Sequence, residues 1–530
     1  MLKNIAILFT YLNQNIAQRF AGSVVLLICF LLLPNLGFAT VHHHAYHKQA
    51  VSTKIPRHKY TDMPLNNPTA VSLNTAIARI IAKYDSNIDI GIQIQSPADG
   101  RIIYQQNAYR LFKPASSLKI FTAAAALKHL GANYRFTTQV LAKTNVIQNG
   151  VLASDVYFYF DGDPVLRREH LNNLIATLQK MGISKIQGNI YIDDSVFDQR
   201  SYGPGWMWDE KNFCYAAPTN AIMLDKNCFP FKLNAKQENR PSQVSAVSGI
   251  ESMPVTSSLI TKRIAADDCP LDLRVSDDNH YYLSGCIWPN PETITLVVAV
   301  KNIRLYATRV LTNILREHDI ELTGNIKIGH SPITDGSNAV LGKNYFVLAS
   351  YSSPPLSELV KIMLKKSDNL IADALFKKLG NSYFHKTATW SNGSQALMSI
   401  LRQNGKIDFS DTRIVDGSGL SHYNLMTPAK MTELLNFVYK DATIRDPFWT
   451  ALPNSGVDGS LAYRMSSSDL RGKVHAKTGT MSGISSLAGY VTTANGKLLT
   501  FAIIINDFIG KAYKYRQMED DICALLARSR

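Results

Sequence analysis

Hydrophobic residues recur along this chain with two different periods, and these periods predict its secondary structure. A spacing of three or four residues predicts helices over residues 73–84, 120–130, 170–181, 305–317, 356–365, 370–379 and 511–528. Alternation and short apolar runs predict strands over residues 89–95, 101–105, 138–144, 156–160, 188–192, 473–477, 487–492 and 497–506. Because helices lie before and after the late antiparallel strands, we expect an α/β sandwich assembled from both ends of the chain.

The middle of the chain differs in character from its two ends. Strand and turn signals dominate from about residue 138 to residue 300, with little helix signal after residue 198. Helical patterns return beyond residue 302. These changes predict the following division: residues 1–39, a signal peptide; 40–68, an extended lead-in; 69–137 with 301–530, the main domain; 138–300, a β-rich inserted module.

The N-terminus has the features of a secretory signal peptide in the expected order. The basic residues Lys3 and Arg19 precede an uncharged run over residues 21–33, and small residues follow before Thr40. The apolar run is too short for a membrane-spanning helix. We therefore expect cleavage before Thr40 and export to the periplasm.

The net charge of +15 is spread along the chain without a single basic block. We attribute it mainly to solubility, with attraction to an anionic polymer or membrane surface as the alternative. Nucleic acid is not an expected partner, whereas peripheral membrane association and homo-oligomerisation stay open. Residues 42–44 and His47 could bind a metal, but no acidic or cysteine ligand lies close by, so no metal is expected.

Four cysteines lie close together in the predicted inserted module, at positions 214, 228, 269 and 286. In an exported protein without a C-x-x-C motif, such spacing favours disulfides over a metal site. Because local loops close at the lowest entropic cost, we prefer Cys214 with Cys228 and Cys269 with Cys286, although the connectivity is not fixed by sequence. Cys523, on the last predicted helix, is expected to be a buried free thiol.

A serine and a lysine stand three residues apart at the predicted start of a helix. Ser116 and Lys119 follow Pro114, and the helix closes before Gly131, which are the expected start and stop signals. Residues i and i+3 share a helix face, so the Lys119 amine can reach the Ser116 hydroxyl. A serine nucleophile needs such a base, but the spacing alone is common, and a solvated lysine would look the same.

Two later motifs strengthen the catalytic interpretation. Ser367-Asp368-Asn369 lies between two predicted helices, and residues 477–480 read Lys-Thr-Gly-Thr at a strand end. S-x-x-K, S-D-N and K-T-G in this order are the signature of penicillin-binding proteins and class A β-lactamases.

Each motif has a physical task. Lys119 can take a proton only as the neutral amine, so its pKa must lie far below the usual value of about 10.4. Lys477 is the candidate cation that depresses this pKa. Ser367 can relay the proton to the leaving amine, and Asn369 can hold Lys119 and a substrate amide.

The Lys-Thr-Gly-Thr segment also predicts how a substrate is held. Gly479 permits close backbone approach, so a substrate can lie along the strand edge as an added strand. Thr478 and Thr480 supply hydroxyls for a terminal carboxylate. The backbone N–H groups of Ser116 and Thr480 are the predicted oxyanion hole.

With these motifs, the chain resembles the low-molecular-mass class C penicillin-binding proteins, namely the D-alanyl-D-alanine carboxypeptidase/endopeptidase family of the penicillin-binding protein 4 type (peptidase S13). The resemblance covers nearly all of the mature chain and includes the wide interval between Ser116 and Ser367, where the family inserts extra domains. Further landmarks of the family are residues 205–209, 214, 217–218, 227–228, 269, 284–286 and 416–421.

The resemblance implies a fold and a set of roles. The fold is a penicillin-binding and serine β-lactamase-like transpeptidase domain with a large inserted module. Ser116 becomes the acyl-enzyme serine, Lys119 the general base, Ser367 and Asn369 the second motif, and Lys477 the substrate-binding lysine. The implied activity is hydrolysis of D-Ala-D-Ala in peptidoglycan stem peptides and cross-links, without a cofactor and with covalent inhibition by β-lactams.

Two positions bear on substrate preference. By resemblance, Asp209 of the inserted module lies over the cleft and meets the amine of the stem-peptide side chain. The family commonly has arginine after the D-G-S-G-L-S run, whereas this chain has His422. Histidine is mostly neutral at neutral pH and cannot make a bidentate contact with a carboxylate, so His422 either tunes the preference for acidic groups or lies on the surface without contact.

Two other classes of function are weighed against the peptidase. A serine β-lactamase would carry the same motifs, but this chain is far longer and nothing marks a dedicated deacylation base. A non-catalytic wall-binding protein on the same fold would be expected to have lost one of the motif residues. All of them are intact here: Ser116, Lys119, Ser367, Asn369 and Lys477.

Overall fold

We analysed the chain as a computed structural model. The structure describes residues 68–529 except residue 86 and segments 248–252, 265–267 and 331–344. The predicted signal peptide, nearly all of the lead-in and the histidines at 42–44 and 47 lie outside the described residues. Within the described part, no helix combines the length and apolar character needed to cross a bilayer, and no cluster of three or more His, Cys, Asp or Glu side chains could hold a metal.

The secondary structure contains helices and strands along the whole described chain. The helices are α1 Pro68–Tyr84, α2 Lys119–Leu130, α3 Arg168–Lys180, α4 Ile303–Glu317, α5 Leu356–Lys366, α6 Asn369–Phe384, α7 Trp390–Gly405, α8 Pro428–Lys440, α9 Arg445–Ala451 and α10 Tyr513–Arg528. The strands are β1 Asp89–Gln95, β2 Ile102–Gln106, β3 Thr137–Ala142, β4 Val151–Leu152, β5 Val156–Phe160, β6 Lys185–Ile186, β7 Ile190–Asp193, β8 Cys228–Asn234, β9 Arg240–Pro241, β10 Gln243–Ala246, β11 Val255–Ser257, β12 Ile260–Thr261, β13 Asp272–Val275, β14 Tyr281–Ser284, β15 Cys286–Ile287, β16 Ile294–Ala299, β17 Glu321–Leu322, β18 Ile326–Ile328, β19 Phe346–Ser352, β20 Val474–Met481, β21 Ile484–Thr492 and β22 Leu498–Asn506.

The main sheet joins the two ends of the chain. Its strand order is β2-β1-β22-β21-β20, and every neighbouring pair is antiparallel. One face packs on α1 and α10 through residues such as Ile77 and Met518, and the other packs on α2 and α8 through residues such as Phe121 and Leu434. Each fully buried large apolar side chain contributes roughly 1.5–3 kcal/mol to this packing. The predicted α/β sandwich is confirmed.

Three helices of the main domain were missed by the periodicity, namely α7, α8 and the short α9. Helix α7 carries many polar residues and Gly393, which give a weak helical signal. A Cβ on Gly393 would come within 2.6 Å of the Phe376 carbonyl oxygen, so this glycine lets α7 pack closely on α6. Tertiary contact therefore stabilises a helix that local propensity does not indicate.

The middle of the chain forms further sheets, as the strand and turn signals predict. The largest has the order β18-β7-β5-β3-β19. The predicted module boundary at residue 300 does not coincide with an end of this sheet, because β18 and β19 lie beyond it and β19 pairs with β3. Helix α4 also packs into the core of this region. We therefore propose a boundary near residue 352.

Both predicted disulfides are present. Cys214 bonds to Cys228 and Cys269 bonds to Cys286, and each bridge closes a short loop. Cys523 is a free buried thiol, as expected. The first bridge lies next to a 3-10 turn, Cys214–Ala216, that reaches the main domain.

Candidate active site

Ser116 and Lys119 lie at the entrance to α2, directly one above the other. Residues Ala115–Leu118 form a 3-10 turn that continues into α2. Side chains three residues apart eclipse in a 3-10 helix, and Lys119 Nζ lies 2.9 Å from Ser116 Oγ. Ala115 has φ +48°, which is uncommon for a residue with a Cβ and indicates a strained turn before the serine.

Lys119 is completely buried and has three polar contacts. Its Nζ lies 2.9 Å from Ser116 Oγ, 2.6 Å from Asn369 Oδ1 and 2.7 Å from the Ser418 carbonyl oxygen. An ammonium could donate to all three oxygens. A neutral amine has two N–H donors, which suit the amide and the carbonyl, and a lone pair that can accept from the Ser116 hydroxyl. The geometry therefore accommodates the base form without rearrangement.

The pKa of Lys119 is lowered to about 8, and burial is the main cause. Asp373, Asp416 and Asp368 oppose this effect by favouring the ammonium. Our expectation that the charge of Lys477 is responsible is therefore corrected, because burial dominates. Repulsion between the two lysines instead contributes to Lys477, whose pKa lies well below its ordinary value through burial first and Lys119 second.

Ser367 and Lys477 form the second half of the cluster. Ser367 ends α5 in a left-handed conformation with φ +56°, and Asp368 then caps α6 by accepting from the Ile371 N–H. Lys477 Nζ donates to Ser367 Oγ at 2.9 Å and to the Thr478 carbonyl at 2.7 Å. The turn between two helices thus directs Ser367 towards the lysine of β20.

The Lys-Thr-Gly-Thr residues lie within β20, which extends further than predicted and forms one edge of the main sheet. A Cβ on Gly479 would lie 2.3 Å from Ser486 Oγ, 2.8 Å from the Pro114 carbonyl oxygen and 3.0 Å from Ser116 N. Glycine is thus required by the approach of the nucleophile's own turn. The sequence indicated a close approach but assigned it to the substrate.

Thr478 and Thr480 are half-buried on the edge strand. Thr478 Oγ1 lies 2.8 Å from Ser460 Oγ, on a short turn that the sequence reasoning missed. An ion pair between Asp458 and Lys365 at 2.7 Å fixes this turn against α5. No sequence signal pointed to Ser460, because a single serine in a loop carries no pattern.

The middle region of the chain closes one side of the cleft. Asn369 Nδ2 donates to the Tyr215 carbonyl at 2.8 Å, while its Oδ1 accepts from Lys119. The buried Trp206 donates from Nε1 to Asp416 Oδ2 at 3.0 Å. Ser421 Oγ donates to the Pro204 carbonyl. These contacts attach the segment around residues 204–215 to the catalytic residues.

Asp209 and His422 lie close enough to interact across this contact. Asp209 is exposed on the 3-10 turn Trp208–Glu210, and His422 N donates to the Gly205 carbonyl at 3.3 Å. Burial lowers the pKa of half-buried His422, Lys113 lowers it further, and Asp209 opposes both. His422 therefore faces the cleft segment, although no direct contact with Asp209 is present among the described hydrogen bonds.

Glu210 is a residue that the sequence reasoning missed. It is half-buried beside Tyr215, and its Oε2 is shielded from solvent without a hydrogen-bond partner in the described residues. Burial first and then Asp209 raise the pKa of Glu210 to about 7. An acidic oxygen in this state can receive a cationic group. Its position next to Asp209 was the only available signal.

The site as a whole can support acyl transfer from serine. Ser116, Lys119, Ser367, Asn369 and Lys477 come together from α2, the α5–α6 turn and β20, as the motifs predict. Ser116 Oγ, Lys119 Nζ and the edge of β20 that has no partner strand among the described residues lie next to one another in this cluster. A five-stranded antiparallel sheet flanked by helices with this cluster at its edge strand defines the class of penicillin-binding serine enzymes.

The chain matches the model of the D-Ala-D-Ala carboxypeptidase 3 (S13) family over residues 73–529. It is 32% identical over 446 residues to a D-alanyl-D-alanine carboxypeptidase of Haemophilus influenzae, covering 83% of this chain and 90% of that protein. It is 28% identical over 433 residues to a D-alanyl-D-alanine carboxypeptidase of an Actinomadura species, covering 80% of this chain and 78% of that protein.

Solved structures agree with this similarity. The crystal structure of penicillin-binding protein 4 from Haemophilus influenzae matches with a TM-score of 0.78 at 32% identity, covering 86% of this chain and 99% of that one. A second structure of that protein, in complex with a β-lactam, matches with a TM-score of 0.74 at 31% identity, over 86% and 99% of the two chains. The chain therefore belongs to the D-Ala-D-Ala carboxypeptidase 3 (S13) family and is a serine-type carboxypeptidase.

Proposed function

We propose that this chain is a periplasmic D,D-peptidase that hydrolyses the D-Ala-D-Ala bond of peptidoglycan stem peptides, and D,D-cross-links between them, through an acyl-enzyme on Ser116. The observation that carries the proposal is the buried Lys119, whose Nζ lies 2.9 Å from Ser116 Oγ. A pKa of about 8 leaves part of Lys119 as the free base at neutral pH. The signal-peptide pattern supports the periplasmic location.

Acylation would begin with transfer of the Ser116 proton to Lys119 as Oγ attacks the carbonyl carbon of the penultimate D-Ala. The oxyanion would be held by the backbone N–H groups of Ser116 and Thr480, as the sequence predicts. Ser367, hydrogen-bonded to Lys477, would relay the proton from Lys119 to the departing amine as the C–N bond breaks, which returns Lys119 to the neutral amine. Water would then release the acyl group, with the same groups acting in reverse.

The substrate would lie along the free edge of β20. An extended peptide can add to an edge strand by main-chain hydrogen bonds. Thr478 and Thr480 would receive the terminal carboxylate, and Lys477 would add positive charge nearby. The position of β20 as the last strand of the main sheet, with Gly479 next to Ser116, supports this orientation.

Glu210, next to Asp209, would meet a side-chain ammonium of the stem peptide. Glu210 Oε2 is buried and unpaired in the described residues, whereas Asp209 is exposed. Tyr215 and the backbone of Met207 hydrogen-bond to the Glu210 carboxyl group, but its Oε2 keeps no partner, and a substrate ammonium would stabilise the charged form. We therefore place Glu210 nearer to the substrate than Asp209, with Asp209 adding negative charge to the same pocket.

The proposal is tested by intact-protein and peptide mass spectrometry after incubation with a penicillin and with a stem pentapeptide. We expect one penicillin adduct that maps to Ser116 and is absent from Ser116→Ala. The adjacent Ser117 is buried and donates to the Pro114 carbonyl, so it should stay unmodified. The pentapeptide should lose one D-Ala. No adduct would favour the non-catalytic wall-binding protein, and release of the penicilloyl group within seconds would favour a β-lactamase.

The pocket is tested with two matched variants, Glu210→Gln and Asp209→Asn. For a stem peptide with a free side-chain ammonium, Glu210→Gln should raise KM by roughly tenfold or more, as expected for loss of a charged hydrogen bond. Asp209→Asn should have the smaller effect. An N-acetylated side chain serves as the control substrate and should be insensitive to both changes. Equal effects on both substrates would contradict the assignment.

A further inference from the structure

Asp373 is a buried carboxyl group one turn beyond Asn369 on α6, and the reaction described above does not use it. Its side chain is completely buried. Oδ1 accepts from the backbone N–H groups of Gly417 and Ser418, at 2.8 and 2.9 Å. Oδ2 is shielded from solvent and has no hydrogen-bond partner in the described residues. A buried acidic oxygen in this state is costly and calls for a reason.

A second buried carboxyl group, Asp416, provides a comparison, because it lies on the loop that contains Gly417 and Ser418. Asp416 accepts from four donors: the Gly419 N–H, the Ser421 N–H, Asn424 Nδ2 and Trp206 Nε1. Both of its oxygens are therefore occupied by the fold. Asp416 has the contacts expected of a structural group that shapes the loop. In Asp373, by contrast, Oδ2 has no hydrogen-bond partner in the described residues.

Asp373 is connected to Lys119 through a single residue, Ser418. It holds the N–H of Ser418, and the carbonyl of Ser418 accepts from Lys119 Nζ at 2.7 Å. Thr122, on the helix of Lys119, donates to the Gly417 carbonyl at 2.7 Å and fixes the same loop from the other side. The loop can therefore move relative to Lys119 only if the contacts of Asp373 break.

We propose that Asp373 is a positioning residue for acylation: it fixes the Ser418 carbonyl against Lys119 Nζ and supplies the negative charge that faces the ammonium formed there. This inference rests on the proposed role of Lys119 as the base. When Ser116 attacks, its O–H bond breaks, an N–H bond forms at Lys119, and Oγ bonds to the substrate carbonyl carbon. The new positive charge appears in a buried site, where a nearby carboxylate stabilises it more than water-exposed charges would.

Electrostatics around Lys119 agree with this geometry. Among the carboxyl groups that raise the pKa of Lys119, Asp373 has the largest effect. Burial, followed by Asp416, raises the pKa of Asp373 well above its ordinary value, while the Ser418 side chain, then Lys119 and then the backbone N–H of Gly417 oppose this rise. The two groups titrate together, so the carboxylate form of Asp373 is favoured when Lys119 carries its proton.

Other charged groups around Asp373 are already paired. Lys377, one turn further along α6, is bonded to Asp198 at 2.8 Å. Asp368, at the start of α6, pairs with Lys226 at 2.6 Å. On β20, Lys477 donates to Ser367 and to its own strand. Asp416 is occupied by the loop. The charge of Asp373 also acts on Lys377, but that ammonium is already paired with Asp198, whereas the hydrogen bonds of Lys119 include no carboxylate.

The test is the pH dependence of acylation in Asp373→Asn, measured by stopped flow with a fluorescent penicillin from pH 5.5 to 9.5. Asparagine keeps an acceptor for the two backbone N–H groups but removes the charge. Without that charge the Lys119 ammonium is less stable, so the acid limb should move to lower pH by roughly one unit. The plateau rate should fall roughly three- to tenfold, because a weaker base assists less.

The matched control is Asp441→Asn. It removes a carboxylate that pairs with Lys128, near the C-terminal end of α2, the helix that begins with Lys119. Asp441→Asn should leave the acid limb of the pH–rate profile at its wild-type pH. A purely structural role for Asp373 would lower the rate at every pH without moving the limb, and that result, or an unchanged profile, overturns the inference. If Asp373→Asn does not fold, Asp373→Ser is measured against the same two criteria.

The experiment separates this inference from the proposed function through Lys119→Ala. If that variant is acylated normally, Lys119 is not the base and the proposed mechanism fails. If it loses acylation while Asp373→Asn keeps the wild-type limb, only the role of Asp373 is rejected. A shifted limb in Asp373→Asn, together with loss of acylation in Lys119→Ala, supports both.

Discussion

The cluster around Ser116 and Lys119 differs from the segment around residues 204–215, here called the covering segment, in how far its polar groups are already hydrogen-bonded. Around Lys119, each polar contact is already made within the protein, and the partner groups come from helix starts and a loop of the main domain. At the covering segment, Glu210 has an unpaired buried oxygen and Asp209 is exposed. The chemistry is thus preorganised before substrate arrives, whereas recognition is left for the substrate to complete.

The two regions also differ in how they are stabilised. The cluster lies on the main sheet, where strands from both ends of the chain pair along their length. The covering segment belongs to a region of shorter strands with two disulfides. A change in the covering segment should therefore alter binding first, and a change in the cluster should alter rate first.

The largest expected effect is a loss of acylation rate when Lys119, at the centre of the cluster, is replaced. Lys119→Ala should slow acylation by penicillin by roughly 10² to 10⁴, the usual loss for removal of a general base. Acylation kinetics followed by mass spectrometry measure it. Lys128→Ala, on the same helix but bonded to Asp441 on its partly exposed side, is the control and should acylate normally. A small effect of Lys119→Ala on the acylation rate would contradict the view that changes in the cluster act first on rate.

The next effect concerns stability. Replacing Cys214 and Cys228 by serine should cost roughly 2–4 kcal/mol in the unfolding of the middle region, and the same holds for Cys269 and Cys286. Penicillin acylation should survive in the folded fraction, because the cluster lies on the main sheet. Thermal unfolding monitored with and without penicillin measures both properties. Under denaturing, non-reducing conditions, a thiol reagent should label only Cys523 in the mature protein.

A smaller effect should follow from Gly479→Ala. The added Cβ would clash with Ser486 Oγ and the Pro114 carbonyl, next to Ser116 N. Displacement of the nucleophile's turn by about an ångström should slow acylation by up to roughly 10²-fold. Stopped-flow acylation measures the rate, and the melting temperature shows whether the sheet itself is disturbed. A loss of peptide binding with an unchanged acylation rate would instead show that this glycine makes room for the substrate, as the sequence predicts.

The smallest effect concerns His422, a residue of the main domain that contacts the covering segment through the Gly205 carbonyl. Because burial and Lys113 lower its pKa, His422 should become charged only on the acid side of its ordinary range. The ratio of kcat/KM for a stem peptide with a free side-chain carboxylate to that for its carboxamide should therefore rise below about pH 6.5. The ratio cancels the protonation of Lys119, which slows both substrates. We expect a change of less than roughly fivefold.

His422→Arg tests the same residue at neutral pH. Arginine stays charged, so the ratio should rise at pH 7 and lose its pH dependence. A ratio that responds neither to pH nor to this substitution would mean that His422 has no contact with the substrate.

The sequence by itself determined much of this protein. Period and turn signals placed the main sheet and most of its helices, because those segments bury one face or both and their apolar patterns must follow that burial. The three motifs pointed to Ser116 as the proposed nucleophile, to the two lysines and to Ser367, because a serine nucleophile needs a base close to its hydroxyl. Local loop closure selected the two disulfides, Cys214 with Cys228 and Cys269 with Cys286.

Only the tertiary structure decided what surrounds these groups. The partners of Lys119 lie 250 and 299 residues away at Asn369 and Ser418, and no local pattern encodes such distances. The low pKa of Lys119 follows mainly from burial, whereas the sequence alone suggests the charge of Lys477 as its cause. The reason for Gly479 and the unpaired oxygens of Glu210 and Asp373 likewise depend on packing between distant segments. Motifs specify which atoms react, whereas packing sets their distances, solvation and charge.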